Sequence, residues 1–122
     1  MSERPLRLVR IGLGSNSAAA VNLARARAAL AADPDLQPVH LSDERSGPAV
    51  AGGVGVYVNQ LLTARTGLAS DELNARLKAL EAALGRVRDG SGVVAIDLDL
   101  LAVEGEFEEP ELRSAPHWRA LL

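Results

Sequence analysis

The 122-residue sequence contains no cysteine, which excludes disulfide bonds, thiolate metal sites and a cysteine nucleophile. It also lacks any apolar run close to the roughly 20 residues that a membrane-spanning helix requires. No apolar signal region follows the first residues. We therefore expect a cytoplasmic protein that does not associate with a membrane.

Aromatic residues and clusters of basic residues are scarce as well. Only Tyr57, Phe107 and Trp118 are aromatic, although 48% of the residues are hydrophobic, so aliphatic side chains must fill the core. The few aromatic residues thereby become candidates for a binding site. The net charge is −3, with 13 basic and 16 acidic residues and no basic block, which argues against nucleic acid as a partner. The length predicts one domain over residues 1–122, and a monomer is favoured.

The apolar periodicity predicts two similar halves, each a strand, a helix and a strand. The predicted elements are strand 6–13, helix 17–32, strand 36–43, strand 56–64, helix 70–84 and strand 93–103. Residues 46–55 have no periodicity, so we expect a loop there. The order βαββαβ predicts a ferredoxin-like α+β sandwich, in which both helices cover one face of a four-stranded antiparallel sheet.

Two carboxylates interrupt the apolar last strand. Asp97 and Asp99 are two residues apart, so both point to the same face of the strand, with Cα atoms about 6.5–7 Å apart. Their repulsion is on the order of 2–3 kcal/mol at an effective dielectric constant of about 20, and a bound cation would reverse its sign. The pair could equally face water on an amphipathic strand. Oxygen ligands of this kind suit Mg²⁺, which usually takes one or two carboxylates together with substrate phosphates.

Charged residues, namely Glu81, Arg86 and Arg88, surround the end of the second predicted helix. Arg86 and Arg88 could complement the negative end of that helix. The same arginines could instead turn towards phosphates held by a metal ion on Asp97. The sequence alone leaves both interpretations open.

Other polar residues have a functional and an ordinary interpretation too. The segment Gly12-Leu13-Gly14-Ser15-Asn16-Ser17 is either a tight turn or a turn that brings Asn16 to a ligand. Tyr57 and Asn59 share one face of a strand, where they could offer a flat heterocycle an aromatic wall and an amide. His117 could donate to a phosphate or lie on the surface.

Taken in order, these segments resemble the hydroxymethyldihydropterin pyrophosphokinase family. The resemblance spans nearly the whole chain. It is carried by Leu13-Gly14-Ser15-Asn16, Tyr57-Val58-Asn59, Glu81 with Gly85-Arg86-Val87-Arg88, Ile96-Asp97-Leu98-Asp99-Leu100-Leu101, and Ala115-Pro116-His117. The family transfers a pyrophosphoryl group from ATP to the hydroxymethyl group of a reduced pterin, in folate synthesis.

The resemblance implies a role for each matching residue. Two Mg²⁺ ions, bound by Asp97 and Asp99, would bridge the ATP phosphates, and Arg86 and Arg88 would complete the catalytic set. The implied pterin contacts are Asn16, Ser46, Tyr57 and Asn59. The implied ATP contacts are Glu81, Arg88 and His117. The expected ligands are therefore ATP, a reduced pterin and Mg²⁺.

The sequence departs from the family pattern in two places. Residues 89–95 lack the arginines, tryptophan and proline that family members carry there, and the chain is short after Pro116-His117. Loss of an arginine that stabilises a phosphoryl-transfer transition state can lower the rate by about 10³- to 10⁵-fold. The alternative hypothesis is a non-catalytic relative that binds a nucleotide, a pterin or a protein partner.

Overall fold

The computed structural model describes residues 5–48 and 55–122. Its elements, in chain order, are β1 (Arg7–Ser15), α1 (Ala19–Ala32), β2 (Gln37–Leu41), β3 (Arg45–Pro48), β4 (Val56–Thr66), α2 (Ser70–Ala83), β5 (Asp97–Val103), β6 (Phe107–Glu108), α3 (Glu111–Ser114) and α4 (Pro116–Arg119). Among these residues no helix combines the length and apolar character needed to cross a membrane.

The sheet formed by the described residues has six strands in the order β2-β4-β1-β5-β6, with β3 also paired to β4. Every pairing is antiparallel. The fold class is thus α+β with an antiparallel sheet, as predicted, but the predicted four-stranded ferredoxin-like sheet is wrong in its strand count. The two additional strands, β3 and β6, have only four and two residues, too few for an apolar periodicity to reveal them.

Several predicted boundaries also need correction, and the last strand begins at Asp97 and not at residue 93. The predicted loop 46–55 begins with a strand, because Ser46 pairs with Val58 of β4; its residues 49–54 lie outside the described part of the chain. The glycines of the first predicted turn do not end β1. Gly14 instead pairs with Asn59 on one side and Asp97 on the other, so β1 continues to Ser15.

Both long helices pack on one face of the sheet. The apolar stripe of α2 includes Leu73 and Leu77, four residues apart, and α1 contributes Leu23, Ala26 and Leu30. These residues bury themselves in one cluster with strand residues such as Ile11, Leu13, Leu62 and Leu98. Each fully buried leucine contributes about 1.5–3 kcal/mol. This cluster is the larger of the cores in the described chain.

A second apolar cluster lies on the opposite face, which the sequence did not predict to be covered. Leu61 and Leu101 meet Leu112 of α3 and Trp118 of α4 there. The ring of Trp118 fits because Gly12 has no side chain: a Cβ at that position would lie 2.5 Å from the Trp118 Cη2 atom. The short C-terminal helices therefore cover part of this face and leave the rest open.

Candidate functional site

A cleft of about 980 Å³ occupies the open part of that second face. Its walls come from β3, β4, β5, the segment 86–94 and the two short C-terminal helices. All the site residues predicted from the sequence line it except Asn16 and Glu81. Those in the wall are Ser46, Tyr57, Asn59, Arg86, Arg88, Asp97, Asp99 and His117.

Beneath the cleft, β1 separates β4 from β5 and has no side chain at Gly14. Gly14 is the register partner of both Asn59 on β4 and Asp97 on β5. Since neighbouring strands are about 4.8 Å apart, the amide of Asn59 and the carboxylate of Asp97 stand on strands separated by about 10 Å. The ring of Tyr57 lies over Gly14. The sheet thus places an aromatic ring and an amide, on β4, on one side of the cleft, which we call the aromatic and amide edge. It places carboxylates, on β5, on the other side, which we call the acidic edge.

The acidic edge contains three carboxylates. Glu81, Asp97 and Asp99 each offer an oxygen atom, and these atoms lie within 4.8 Å of one another. Asp97 and Asp99 point into the cleft because they alternate with the buried Ile96 and Leu98 along β5, as the sequence indicated. Glu81 reaches them from the last turn of α2. We call these three residues the acidic cluster.

Glu81 is the buried member of the cluster, with 2% of its surface exposed. Its Oε1 accepts a hydrogen bond from Arg88 Nη2 at 2.9 Å, and its Oε2 accepts one from the Leu98 backbone N–H at 2.7 Å. Lys78 Nζ donates to Oε2 as well, at 3.0 Å. A buried carboxylate without such partners would be strongly destabilising. Glu81 therefore organises the cluster from behind the cleft wall.

Lys78 is a site residue that sequence reasoning missed. Its ammonium donates to the Leu98 carbonyl at 2.8 Å and to Asp99 Oδ1 at 3.3 Å, in addition to Glu81. Burial lowers the pKa of Lys78, but hydrogen bonding and attraction to Glu81 and Asp99 raise it on balance, so the group is charged. A lysine three residues before a glutamate is an ordinary surface pair of a helix. The one feature of the sequence that could have drawn attention to this residue is that Lys78 is the only lysine in the sequence.

Arg86 lies against the other aspartate. Its Nη1 donates to the Ile96 carbonyl at 3.1 Å and to Asp97 Oδ1 at 3.4 Å. Arg88 reaches Glu81, while 61% of its side chain stays exposed. Arg86 thus contacts β5, whereas Arg88 contacts the last turn of α2, so these contacts fit both of the interpretations that the sequence left open.

Burial and like charge determine the protonation of two groups in the cleft. Burial, with repulsion from Asp99 as the next cause, raises the pKa of Asp97 above the usual range of an aspartate. Burial raises the pKa of Tyr57 as well, and the negative charge of Asp97 adds to it. Tyr57 is therefore a neutral phenol at any physiological pH, and Asp97 would gain from a bound cation.

Asn16 lies behind the segment 86–94 and is not in the cleft wall. Its side-chain Nδ2 donates to the Gly92 carbonyl at 2.8 Å, and its Oδ1 accepts from the backbone N–H of Val94. The Asn16 backbone N–H also donates to the Val94 carbonyl, at 3.0 Å. Gly92 has a φ of 80°, which favours glycine at this position. In the structure, Asn16 fixes the loop that forms one wall of the cleft.

His117 and Ser46 line the cleft from two different elements, α4 and β3. The His117 ring is 5.0 Å from the ring of Trp118, centroid to centroid, at the start of α4. Ser46 is exposed on β3. Between them, the wall formed by 89–94 presents glycines and the valines Val93 and Val94 with no basic side chain. The basic side chains of the site therefore come from α2, from the residues just after it and, with Arg45, from β3.

The model of the 7,8-dihydro-6-hydroxymethylpterin-pyrophosphokinase (HPPK) family matches residues 10–121. No curated protein matches the chain. The matched segment includes every residue that lines the cleft.

Proposed function

The chain belongs to the HPPK family, and on this premise we propose that it transfers a pyrophosphoryl group from ATP to 6-hydroxymethyl-7,8-dihydropterin. The observation that carries the proposal is the arrangement of the cleft, where Tyr57 and Asn59 stand across the bare Gly14 from Asp97 and Asp99. A flat heterocycle and a metal-bound phosphate chain need two such edges, side by side, in one cavity.

The acidic edge fits Mg²⁺ by the chemistry of its donor set. Mg²⁺ prefers oxygen ligands and usually takes one or two carboxylates beside the phosphates of a nucleotide. Asp97 and Asp99 would hold the ion, because both line the cleft, whereas the oxygens of Glu81 are already occupied by Arg88, Lys78 and Leu98. When bound, the ion would neutralise charge on the phosphates during transfer.

The opposite edge would bind the pterin. The phenol ring of Tyr57 offers an apolar surface, and the amide of Asn59 offers both a donor and an acceptor to the edge of the heterocycle. Ser46 stands beside them on β3. Because Tyr57 stays protonated, it would add no negative charge next to the phosphates. This edge would orient the hydroxymethyl group towards the acidic edge.

The basic residues would position the triphosphate. Arg88, with its exposed guanidinium, and His117 would contact phosphate oxygens, while Arg86 would hold Asp97 in place. The pterin hydroxyl oxygen then attacks the β-phosphorus in line. A new P–O bond forms to the pterin, the bond between the β-phosphorus and the α,β-bridging oxygen breaks, AMP leaves with that oxygen, and the hydroxyl proton passes to solvent.

Turnover tests this proposal directly. The purified chain, with Mg-ATP and 6-hydroxymethyl-7,8-dihydropterin, should release AMP in proportion to the pterin supplied. Asp97→Asn should abolish the release, since it removes a charged ligand. Asp43→Asn is a matched control, because Asp43 is an exposed aspartate outside the cleft wall, and it should keep the activity. AMP release that persists in Asp97→Asn would contradict the assigned role.

Binding without turnover is the second candidate function. It is favoured by the absence of basic residues in the cleft wall formed by 89–94, and by the pairing of Lys78 and Arg86 with the two aspartates. A ligand of the native state raises the melting temperature even when no reaction follows. A melting temperature that rises with Mg-ATP or pterin, without AMP release above a blank, would select this function over catalysis.

A further inference from the structure

The charges at the acidic cluster are balanced by the chain's own side chains. Three carboxylates form the cluster, and Lys78, Arg86 and Arg88 each contact one or more of them. A cluster built to hold two divalent cations by itself would carry a surplus of negative charge. Here protein cations already occupy part of the space in which such ions would lie.

All three N–H bonds of the Lys78 ammonium have a hydrogen-bond acceptor, which fixes the group at this position. An ammonium group has three N–H bonds. Lys78 has three acceptors within 3.3 Å, one each from Glu81, Leu98 and Asp99. Two of them are carboxylate oxygens of the acidic cluster itself. The ammonium therefore sits among the oxygen atoms as a bound cation would.

We propose that the Lys78 ammonium takes one of the two cation positions of the acidic cluster, so that the cluster binds a single divalent cation through Asp97 and Asp99. The proposal rests on the proposed function in one respect, the choice of a metal-nucleotide complex as the ligand. Lys78 is a positioning residue, since it contacts Asp99 and Glu81 and is not part of the cleft wall.

Electrostatics and geometry both oppose a second divalent ion. Such an ion would need the oxygens of Glu81 or the Oδ1 atom of Asp99, which Lys78 contacts. Lys78 would then face a doubly charged neighbour a few ångströms away in a partly buried site, where repulsion is stronger than in water. The remaining oxygens of Asp97 and Asp99 suffice for one ion together with nucleotide phosphates.

The number of bound metal ions tests the proposal. Mn²⁺ replaces Mg²⁺ as the probe, and the nucleotide is the α,β-methylene analogue of ATP, which cannot release AMP. Counting free Mn²⁺ by electron paramagnetic resonance should give one ion per full-length chain. Lys78→Met keeps the apolar stem and removes the charge, and should raise the count to two. Arg76→Met, on the same helix but paired with Asp33 and Asp35, should leave it at one.

A second measurement uses the wild-type chain and does not depend on how the variant folds. Because the sequence contains one lysine, its ¹³Cε signal in a nuclear magnetic resonance spectrum is unambiguous. Bound Mn²⁺ should broaden that signal beyond detection at one ion per chain, whereas Mg²⁺ should leave it sharp. A signal that stays sharp with Mn²⁺ bound would overturn the proposal.

The outcomes separate this proposal from the proposed function. Two Mn²⁺ ions in the wild-type chain, or one in a folded Lys78→Met variant, overturn the proposal even if AMP is released from ATP. One ion in the wild type and two in the variant support it even if the chain has no turnover. Failure of Mn²⁺ to bind with the nucleotide overturns it together with the metal-dependent function.

Discussion

The phenol ring of Tyr57 rests on the bare backbone of Gly14. A Cβ atom at Gly14 would overlap the Tyr57 Cε1 atom and lie 3.0 Å from Oη, so the ring could not keep its place. Glycine at this position is therefore needed for the width of the cleft, although its φ angle is not in the left-handed region. The Tyr57 ring can take its position only because Gly14, in the neighbouring strand β1, has no side chain.

Gly14→Ala should displace the Tyr57 ring into the cleft. We expect the free energy of unfolding to fall by about 1–3 kcal/mol, as for other overpacked positions. The KM for the pterin should rise by about tenfold, which corresponds to about 1.4 kcal/mol of lost contact. Urea unfolding and steady-state kinetics measure the two effects. Gly47→Ala is the control, because a Cβ there meets nothing within 4 Å; equal unfolding curves for both variants would contradict the packing argument.

Glu81→Gln should destabilise the chain strongly. The substitution keeps an oxygen for the Leu98 N–H but removes the negative charge that Arg88 and Lys78 share. Because Lys78 and Arg88 are partly exposed, at 38% and 61% of their side chains, the cost comes mainly from the unsatisfied buried hydrogen bonds and is about 1–3 kcal/mol. The free energy of unfolding from urea titration should fall by about that amount. Glu109→Gln changes an exposed glutamate and should stay within about 0.5 kcal/mol of the wild type; a similar small loss for Glu81→Gln would refute the buried-pair role.

Asp97→Asn should stabilise the ligand-free chain while it removes activity. The pKa of Asp97 is raised in the folded chain. At a pH between the ordinary pKa of an aspartate and this raised pKa, the folded chain therefore keeps a proton that the unfolded chain has lost. Its contribution to stability therefore decreases as the pH rises through the raised pKa, and the ionised group is destabilising at neutral pH. The melting temperature of Asp97→Asn at pH 7 should exceed that of the wild type by roughly 2–4 °C.

The pH dependence provides the check on that explanation. At a pH low enough to protonate Asp97 in the wild type, the gain from Asp97→Asn should shrink towards zero. The exposed control Asp43→Asn should show no comparable gain at pH 7. A gain of the same size at every pH would mean that packing, and not ionisation, explains the effect.

Asn16 variants should loosen the wall formed by 86–94 in steps. Asn16→Asp keeps an acceptor for the Val94 N–H and loses the donor to Gly92, and Asn16→Ala loses both side-chain bonds. Amide hydrogen exchange at Val94 should therefore be fastest in Asn16→Ala and intermediate in Asn16→Asp. Exchange at Leu62, in the core of β4, should not change. Equal exchange at Val94 in all three proteins would exclude the proposed clamp.

Much of the acidic side of the site follows from local sequence rules. A period of two in β5 is enough to put Asp97 and Asp99 on one face, and the short distance along the chain keeps Arg86 and Arg88 near them. Tyr57 and Asn59 share a face of β4 for the same reason. These inferences needed only the direction of side chains along one strand.

Other features depend on contacts between distant segments and could not be derived in this way. Strand β3 forms only because Ser46 meets Val58, and the C-terminal helices are too short to show a helical period. The sequence did contain one sign that the C-terminal helices cover the second face of the sheet, namely the adjacent pairs Leu61-Leu62 and Leu100-Leu101. Two adjacent apolar residues in a strand point to opposite faces, so such pairs indicate a strand with both faces covered. The role of Lys78 depends on the approach of α2 to β5, which no local pattern encodes.

The bonds to Leu98 have a consequence for the association of whole molecules. Strand β6 pairs with β5 only at Ala102 and Val103, so the outer edge of β5 at Leu98 lacks a strand neighbour within the described chain. Glu81 accepts from the Leu98 N–H and Lys78 donates to its carbonyl, so neither backbone group of Leu98 is free to pair with another chain. Glu81 and Lys78 thus serve both the acidic cluster and the edge of the sheet at Leu98, so a substitution of either residue will alter both.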